Sequence, residues 1–268
     1  MCSYDKYELA EKQLKSFTRS KIRTKVLLCL KDADKNVGEL EQEIGSRNTT
    51  ILHAIKDMIE VDLITRSSKG YHLTNLGKMQ AHLLDYMINF AASLDENREF
   101  WLTHDISGIP LELIQKIGML VQSDVVTADH VALLKAQEYF MEKVIDSKEV
   151  FGVSPIIIPG YAETIIKCVE SDAKVELILT DNIIDIVFKE HKNSIQTLVN
   201  FENFNLYRIK NDVKVAFTVT EEHLYLGLFR LDGSYDMGND LFCTGKNSTM
   251  WGKELFNYYR DIAELVKY

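Results

Sequence analysis

The chain is poor in the residues that cross-link a fold, bind metals or span membranes. Its four cysteines lie far apart and form no C-x-x-C pair. This pattern excludes a disulfide framework and a cysteine zinc site, and it indicates reduced thiols in a cytoplasmic setting. No apolar run approaches the roughly 20 residues that span a bilayer, so no membrane partner is expected. The charged N-terminus lacks the apolar segment of a signal peptide.

Sequence patterns for catalysis and cofactors are missing as well. The seven histidines show no metal-ligand spacing, and no glycine-rich phosphate loop occurs. The neighbouring His104 and Asp105 have no nucleophile or partner cluster in the sequence, so a capping or interdomain hydrogen bond explains them better than acid–base chemistry. We therefore predict no catalytic residue, no metal, no cofactor and no enzymatic activity.

What the chain does have is an uneven charge distribution. Its 268 residues are enough for two domains, and its net charge is −9. Residues 1–80 contain 14 Lys and Arg against 11 Asp and Glu, whereas the remainder contains 17 against 29. A mildly basic N-terminal module on an acidic body suits a DNA-binding domain attached to a part that avoids DNA.

The stretch from Val37 to Thr74 predicts two short helices, a tight connection and a β-hairpin. In the second helix, Arg47 to Glu60, apolar residues recur at helical spacing and polar residues fall on the opposite face. Two short strands flank the Ser67–Gly70 turn. This order forms a winged helix-turn-helix, whose second helix usually enters the DNA major groove. Asp62 stands where many winged helices have a glycine of positive φ, which Asp tolerates better than most residues.

The polar face of the second helix supplies the predicted DNA contacts. Arginine and asparagine can pair with guanine or adenine edges, threonines suit phosphate oxygens or a thymine methyl, and a lysine neutralises phosphate. Basic residues of the wing can reach the adjacent backbone or minor groove. The alternative is a face that is merely solvated, and Thr50 can instead face the first helix. The predicted DNA-binding residues are Arg47, Asn48, Thr49, Thr50, His53, Lys56, Arg66 and Lys69.

A long helix follows the wing, from residue 76 to about residue 97. Its apolar residues step by 3 and 4 along one seam, which favours contact with a second copy of the chain. The alternative is a connector helix packed on its own domain. The predicted domains are a winged helix over residues 1–75, a linker or dimerisation helix over 76–99, and an α/β domain over 100–268. The seam residues are Leu76, Met79, Leu83, Tyr86 and Phe90.

The C-terminal part alternates strands and helices. Strands are predicted at 151–158, 175–180 and 205–209, helices at 161–170 and 183–199, and a hairpin at 214–229, which indicates a mainly parallel α/β sheet with one antiparallel addition. Pro155 argues against an uninterrupted central strand there. Because parallel sheets bind ligands at the carboxyl ends of their strands, Ser154, Thr180 and Asp181 are the ligand-binding candidates, with helix capping as the alternative for the last two. The aromatic residues of this part are expected in the core.

Five stretches carry a resemblance to a known family: FWLTHDISGIP (100–110), GVSPIIIPGY (152–161), VELILTD (175–181), LYLGLFRLDGSYD (224–236) and WGKELFNYY (251–259). With the winged helix they resemble archaeal transcriptional regulators that combine an ArsR-like winged helix with a C-terminal sensor domain, known from regulators of methanogenesis and cell filamentation. The resemblance implies a cytoplasmic, dimeric, DNA-binding regulator whose second domain senses a metabolite. The sensor also resembles half of a phospholipase-D-type fold, but it lacks the His-x-Lys that this chemistry needs.

The sequence leaves three hypotheses open. The first is a ligand-responsive transcription factor that binds double-stranded DNA as a homodimer and responds to a small-molecule effector. The second is an enzyme in the α/β domain with the winged helix as a protein-interaction module. The third is a constitutive repressor whose sensor serves only as a dimerisation platform. The steep loss of DNA affinity with salt would distinguish the first from the second.

Overall fold

The protein consists of two units that divide inside one helix. The computed structural model describes residues 2–127, 140–190, 198, 200–210 and 212–266. Unit 1 is Met1–Asn89 and unit 2 is Phe90–Tyr268. The sequence had placed the boundaries after residues 75 and 99, on either side of the long helix. No helix in the described ranges combines the length and apolarity needed to cross a bilayer.

Unit 1 consists of four helices, a hairpin and the start of a long fifth helix. The hairpin strands are antiparallel, with Ile64 opposite Leu73 and Ser67 opposite Gly70. Three helices and a hairpin after a lead-in helix is the element order expected of a winged helix-turn-helix. The elements are α1 (Ser3–Thr18), α2 (Lys21–Cys29), α3 (Val37–Ile44), α4 (Asn48–Ile59), β1 (Ile64–Ser67), β2 (Gly70–Leu73) and α5 (Asn75–Glu96).

Local sequence explains where these elements begin and end. Asn36 caps α3, since its side chain accepts from the backbone N–H of Glu39 while the Glu39 carboxylate accepts from that of Asn36. Gly45 ends the same helix with a φ of 68°. Asp62 ends the turn after α4 with a φ of 58°, so the predicted left-handed conformation is confirmed. Thr74 starts α5, because its hydroxyl accepts from the N–H of Gly77 at 3.0 Å.

The apolar sides of α2, α3, α4 and the hairpin meet in one core. The predicted inward residues of α4 are buried, with Ile51, Ile55 and Met58 each at most 2% exposed. Leu40 and Ile44 of α3 pack against them. The remaining buried members are Val26, Leu27, Leu30, Ala54, Leu63, Ile64, Leu73, Ala81 and Leu84.

The helix α5 has two different faces within unit 1. Gly77, Ala81 and Leu84 are buried, and the last two belong to the unit 1 core. The predicted seam lies on the other side: Leu76 and Leu83 are each 45% exposed and Met79 is 72% exposed. Within unit 1 the helix therefore packs through residues other than the seam, whereas the last predicted seam residue, Phe90, packs against the core of unit 2.

Unit 2 is a mixed α/β unit built around a single large sheet. It contains α6 (Arg98–Thr103), β3 (His104–Asp105), α7 (Leu111–Ile114), a 3₁₀ turn (Ile117–Leu120), β4 (Asp124–Thr127), a helical segment at 140–145, β5 (Glu149–Ser154), α8 (Tyr161–Glu170), β6 (Lys174–Thr180), α9 (Asp181–Glu190), β7 (Phe204–Ile209), β8 (Val215–Val219), β9 (His223–Arg230), β10 (Asn239–Thr244), α10 (Lys246–Asp261) and β11 (Glu264–Leu265). Most of the predicted second half of the 183–199 helix lies outside the described residues.

The sheet corrects the prediction of a mainly parallel arrangement. Its strands run in the order β11-β7-β6-β5-β8-β9-β10-β4, with β3 paired to β9. The described parallel pairings are those of β5 with β6 and of β6 with β7, and the other described pairings are antiparallel. The short Thr220–Glu222 connection between β8 and β9 cannot hold a parallel crossover, which needs about a dozen residues. The sequence also missed β4, β10 and β11.

The strand β5 lies in the centre of the sheet, between β6 and β8, although Pro155 argued against a central strand there. This position is possible because β5 ends at Ser154, so Pro155 lies just beyond the hydrogen-bonded residues. One face of the sheet packs on α10, whose Trp251 and Phe256 are at most 2% exposed. The other face packs on α8 and α9 through Val175 and its neighbours. Toward β8, β9 and β10, this second face carries a cavity.

Candidate functional site

The first candidate site is the exposed side of α4. Arg47 is the residue that caps the helix, and no side-chain cap bond comes from it. Instead, the Glu41 carboxylate of α3 accepts from the N–H of Asn48 at 3.2 Å, and Arg47 is exposed. All six predicted helix positions are exposed, and they are Arg47, Asn48, Thr49, Thr50, His53 and Lys56.

The wing presents the two remaining predicted positions, Arg66 and Lys69, both exposed. The backbone of Lys35 pairs with Tyr71 through bonds of 2.9 and 3.1 Å, which fastens the hairpin to the loop before α3. Gly70 is required there, because its φ is 136° and a Cβ would lie 2.5 Å from the Lys35 carbonyl oxygen. The Arg66 guanidinium lies 5.7 Å from the centre of the Tyr71 ring, so an aromatic face supports its extended side chain.

The structure brings helix and wing residues to one groove. Lys56 of α4 and Arg66 of β1 both line it. The rest of the lining is polar, acidic, apolar or aromatic, and consists of Thr65, Glu60, Leu52, Ile55, Ile59 and Tyr71. Arg47, Lys56, Arg66 and Lys69 form no ion pair with any described residue. Their charges are therefore available to a partner.

Two acidic residues of unit 1, Asp57 and Glu43, are paired with other cations, whereas Glu60 lies in the groove itself. Arg23 of α2 donates to Asp57 of α4, and the Nδ1 of His53 lies 3.6 Å from the same carboxylate. Lys35 donates to Glu43, and this hydrogen bond lowers the pKa of the Glu43 carboxyl. The sequence analysis did not identify Arg23 or Lys35 as electrostatic partners, because neither lies near its partner in sequence.

The second candidate site is a cavity of about 130 Å³ on the sheet of unit 2. Its floor is formed where side chains are missing: Gly152 of β5 lies opposite Thr218, and Ala216 of β8 lies opposite Gly227 of β9. A Cβ on Gly227 would lie 2.0 Å from Tyr235 Oη and 2.5 Å from an Asp240 carboxylate oxygen. The glycine is thus required by the polar pair above it.

The walls of the cavity combine aromatic rings with a few polar groups. Phe140 contacts the Tyr161 and Tyr225 rings, with ring centres 5.8 and 4.4 Å apart. The Tyr161 and Thr218 hydroxyls are 2.9 Å apart, and burial raises the pKa of Tyr161. Tyr235 Oη donates to Asp240 at 3.3 Å. All three tyrosines line the cavity; Tyr225 is buried as predicted for the unit 2 aromatics, whereas Tyr161 and Tyr235 are only partly buried.

Burial changes the titration of the Asp240 carboxyl. Desolvation raises its pKa to about 6, against a smaller opposing effect of the hydrogen bond from Tyr235. Sequence reasoning missed Asp240 because the strand β10 that carries it was not predicted.

The three predicted ligand residues do not come together. Ser154 lines the cavity, but its hydroxyl donates to the Ile156 carbonyl at 2.7 Å. Thr180 and Asp181 lie outside the cavity lining, at the carboxyl end of the next strand. There the Asp181 carboxylate lies 3.2 Å from the Nε of Arg208 on β7, and Asp181 opens α9. Only Ser154 is positioned at the cavity.

His104 belongs to a buried polar network of unit 2, whereas Asp105 lies partly exposed beside it in the chain. The Nε2 of His104 lies 3.3 Å from the Asp236 carboxylate, and both side chains are at most 4% exposed. Asp236 also accepts from Arg230, Gly238 and Asn239, and these bonds lower the pKa of its carboxyl to about 2 in spite of the opposing burial. Asp105 accepts from the N–H of Ser107. The network joins two of the five family stretches, since β3 pairs with β9.

The comparisons with known proteins place both units in one family. Residues 11–92 match the profile "Methanogenesis regulatory protein FilR1, N-terminal domain", and residues 133–262 match the profile of the middle domain of the same protein. The chain belongs to the FilR1 family of regulatory proteins. The N-terminal FilR1 profile covers α2 to the hairpin and most of α5, and the middle profile covers the cavity strands from β5 to β10.

A curated FilR1 protein from Methanothrix harundinacea (strain 6Ac) is 37% identical over 252 residues, which cover 92% of this chain and 56% of the relative. The chain thus spans little more than half the length of that relative. Among solved structures, TrmBL2, an archaeal chromatin protein, is 14% identical with a TM-score of 0.44, covering 97% of this chain and all of its own. A phosphatidylserine synthase from Haemophilus influenzae Rd KW20 is 11% identical with a TM-score of 0.42, covering 74% of this chain and 60% of its own.

Proposed function

We propose that this FilR1-family chain is a cytoplasmic transcriptional regulator that binds double-stranded DNA through unit 1, dimerises along α5 and senses a small metabolite in unit 2. The observation that carries the proposal is the difference in exposure between the two sides of α4. Its apolar side is sealed in the core of unit 1, and the eight predicted DNA-binding residues of helix and wing are all exposed. The proposal includes an ArsR-like winged helix for unit 1 and a phospholipase-D-type topology for unit 2.

The charges of the surface support DNA rather than a protein partner. Four basic side chains on α4 and the wing form no ion pair with a described residue, while Asp57 and Glu43 are each paired with a cation of unit 1. Lys56 and Arg66 line the same groove, so a phosphate backbone seated there would meet both. Arg47, at the start of α4, is at the end of the helix that contacts base edges in helix-turn-helix proteins.

The DNA proposal is tested with Arg47→Ala combined with Lys56→Ala, using mixed-sequence duplex DNA and the promoter fragment of the protein's own gene. Loss of a base-reading arginine costs about 1–3 kcal/mol, so promoter affinity should fall about tenfold or more. Loss of a phosphate contact should also reduce the slope of log affinity against log salt by about 1.

The matched control for this experiment is Lys189→Ala combined with Lys246→Ala. These exposed lysines change the net charge equally and belong to unit 2, which does not contain α4. The control should bind DNA like the wild type, and far-UV circular dichroism should be unchanged in both variants. Equal DNA affinity of the Arg47/Lys56 variant and the wild type at moderate salt would refute the assignment.

The dimer part of the proposal is supported by the exposed seam of α5. Leu76, Met79, Leu83 and Tyr86 are 43–72% exposed, and large apolar side chains in such a row usually meet a partner. Met79→Glu with Leu83→Glu should shift the chain to a monomer in analytical ultracentrifugation. The exposed off-seam pair Lys78→Glu with His82→Glu is the control. A seam variant that sediments like the wild type would contradict dimerisation along α5.

The sensing part of the proposal is that an effector in unit 2 changes the spacing or angle of the two DNA-binding units of a dimer. The helix α5 joins the units directly in the chain, which supports a mechanical coupling. An effector that binds unit 2 and leaves promoter affinity unchanged would contradict this coupling.

A further inference from the structure

The cavity of unit 2 has one strongly polar group in a largely apolar setting. Asp240 lines the cavity and places a carboxylate oxygen against Gly227, where a Cβ would lie 2.5 Å from it. The hydroxyls of Tyr161 and Thr218 are hydrogen-bonded to each other. The hydroxyl of Ser154 donates a hydrogen bond to the Ile156 carbonyl. The Asp240 carboxylate is thus the dominant electrostatic feature that a ligand would meet.

No lysine, arginine or histidine is found among the described residues that line the cavity. A carboxylate, phosphate or sulfate ligand would therefore meet a like charge without a compensating cation. A ligand of positive charge would meet the carboxylate and also the faces of aromatic rings, which attract cations. The ring set is Phe140, Tyr161, Tyr225 and Tyr235.

We propose that this cavity binds a small organic cation, an amine with a compact apolar or aromatic group, whose ammonium lies against Asp240 and whose apolar part lies over Gly152 and Ala216. The inference rests on the proposed sensor role of unit 2 and names the class of its effector. The cavity of about 130 Å³ is close to the 150 Å³ engineered cavity that takes up benzene, so it suits a single ring or a short branched chain.

Burial of the carboxylate strengthens the argument. The raised pKa of Asp240 means that its charge is unfavourably solvated in the cavity, so a bound ammonium relieves a cost that is already present. The Tyr235 hydroxyl fixes one carboxylate oxygen at 3.3 Å and Gly227 leaves room for this pair, which holds the acceptor in place before a ligand arrives.

The experiment uses three probes of nearly the same shape: benzylamine, benzyl alcohol and benzoate. Binding to the full chain is measured by isothermal titration calorimetry near neutral pH, with ligand-observed NMR for the weaker affinities expected of fragments. The variants are Asp240→Asn, which keeps the shape of the side chain and removes its charge, and Asp261→Asn, an exposed aspartate of unit 2, as the control. The expected result is binding of benzylamine in preference to the other two probes, weakened about tenfold or more by Asp240→Asn and unchanged by Asp261→Asn.

Three results would overturn the inference. These are equal binding of benzyl alcohol or benzoate, equal benzylamine binding by Asp240→Asn, and no benzylamine binding at the highest soluble concentration. The measurement needs no DNA, so its failure is separate from failure of the proposed function. If the protein binds promoter DNA but not benzylamine, the proposed ligand class is wrong and the proposed DNA-binding function is unaffected. If benzylamine binds and promoter affinity does not change, the proposed ligand class is supported and the proposed coupling to DNA binding is wrong.

Discussion

Replacing the partly buried Asp240 by asparagine should make unit 2 more stable at neutral and alkaline pH. Burial raises the pKa of this carboxyl from an ordinary 3.8 to about 6, so the native protein binds the proton more tightly than the unfolded chain. The resulting contribution to stability is fully present below pH 3.8 and is lost as the pH rises through about 6. Above that range the charged side chain opposes folding, at a cost of about 3 kcal/mol.

Asparagine has nearly the same shape, can still accept the hydrogen bond from Tyr235 and carries no charge. The free energy of unfolding of Asp240→Asn should therefore exceed that of the wild type increasingly as the pH rises. Between about pH 4.5 and about pH 8, the difference between the two proteins should grow by about 2 kcal/mol. Substitutions that raise the free energy of unfolding at a ligand site commonly weaken the function of that site.

The assay is urea denaturation followed by tryptophan fluorescence at several pH values. Both tryptophans, Trp101 and Trp251, belong to unit 2, so the signal reports the unfolding of that unit. Asp261→Asn, which removes an exposed carboxylate from the same unit, is the control and should show no such pH-dependent gain. A stability difference between Asp240→Asn and the wild type that is the same at all pH values, or negative at pH above 6, would refute the reasoning.

Two further changes test the geometry of each unit. Gly227→Ala should destabilise unit 2 by about 1–3 kcal/mol in the same denaturation assay, because the new Cβ displaces the Tyr235–Asp240 pair, and an unchanged midpoint would contradict the close approach. Asp62→Gly should raise the stability of unit 1 by up to about 1 kcal/mol, because glycine adopts the left-handed backbone at this position without strain. The control Asp34→Gly, in a loop without positive φ, should give no such gain in a thermal unfolding experiment. Loss of stability on Asp62→Gly would show that the aspartate is not strained.

The elements of unit 1 could be read closely from the sequence, because each depends on signals within a few residues. The α4 helix follows from the spacing of Ile51, Ile55 and Met58, and its inward face is buried as predicted. The left-handed corner at Asp62 and the Thr74 cap are also local features, and both are present. Exposure of the opposite face follows directly, since a helix that buries one side leaves the other to solvent.

Unit 2 was harder to predict because its strands pair with residues far away in the chain. The antiparallel half of the sheet depends on β4, β10 and β11, which are short or only weakly alternating. Ser154 and Thr180 do end two neighbouring parallel strands, β5 and β6, but of the three predicted ligand residues only Ser154 lines the cavity. Asp181 instead pairs with Arg208, a residue on the neighbouring strand that no local pattern identifies.

The sequence by itself determined the local elements, the basic character of the first 80 residues and the seam of α5, since each is written in nearby residues and their periodicity. Only the tertiary structure decided that Gly152, Ala216 and Gly227 line one cavity on neighbouring strands, and that the partly buried Asp240 lies against Gly227. The reason is physical. A cavity and a perturbed carboxylate are properties of the space between strands, and that space depends on long-range pairing which no single segment of the chain encodes.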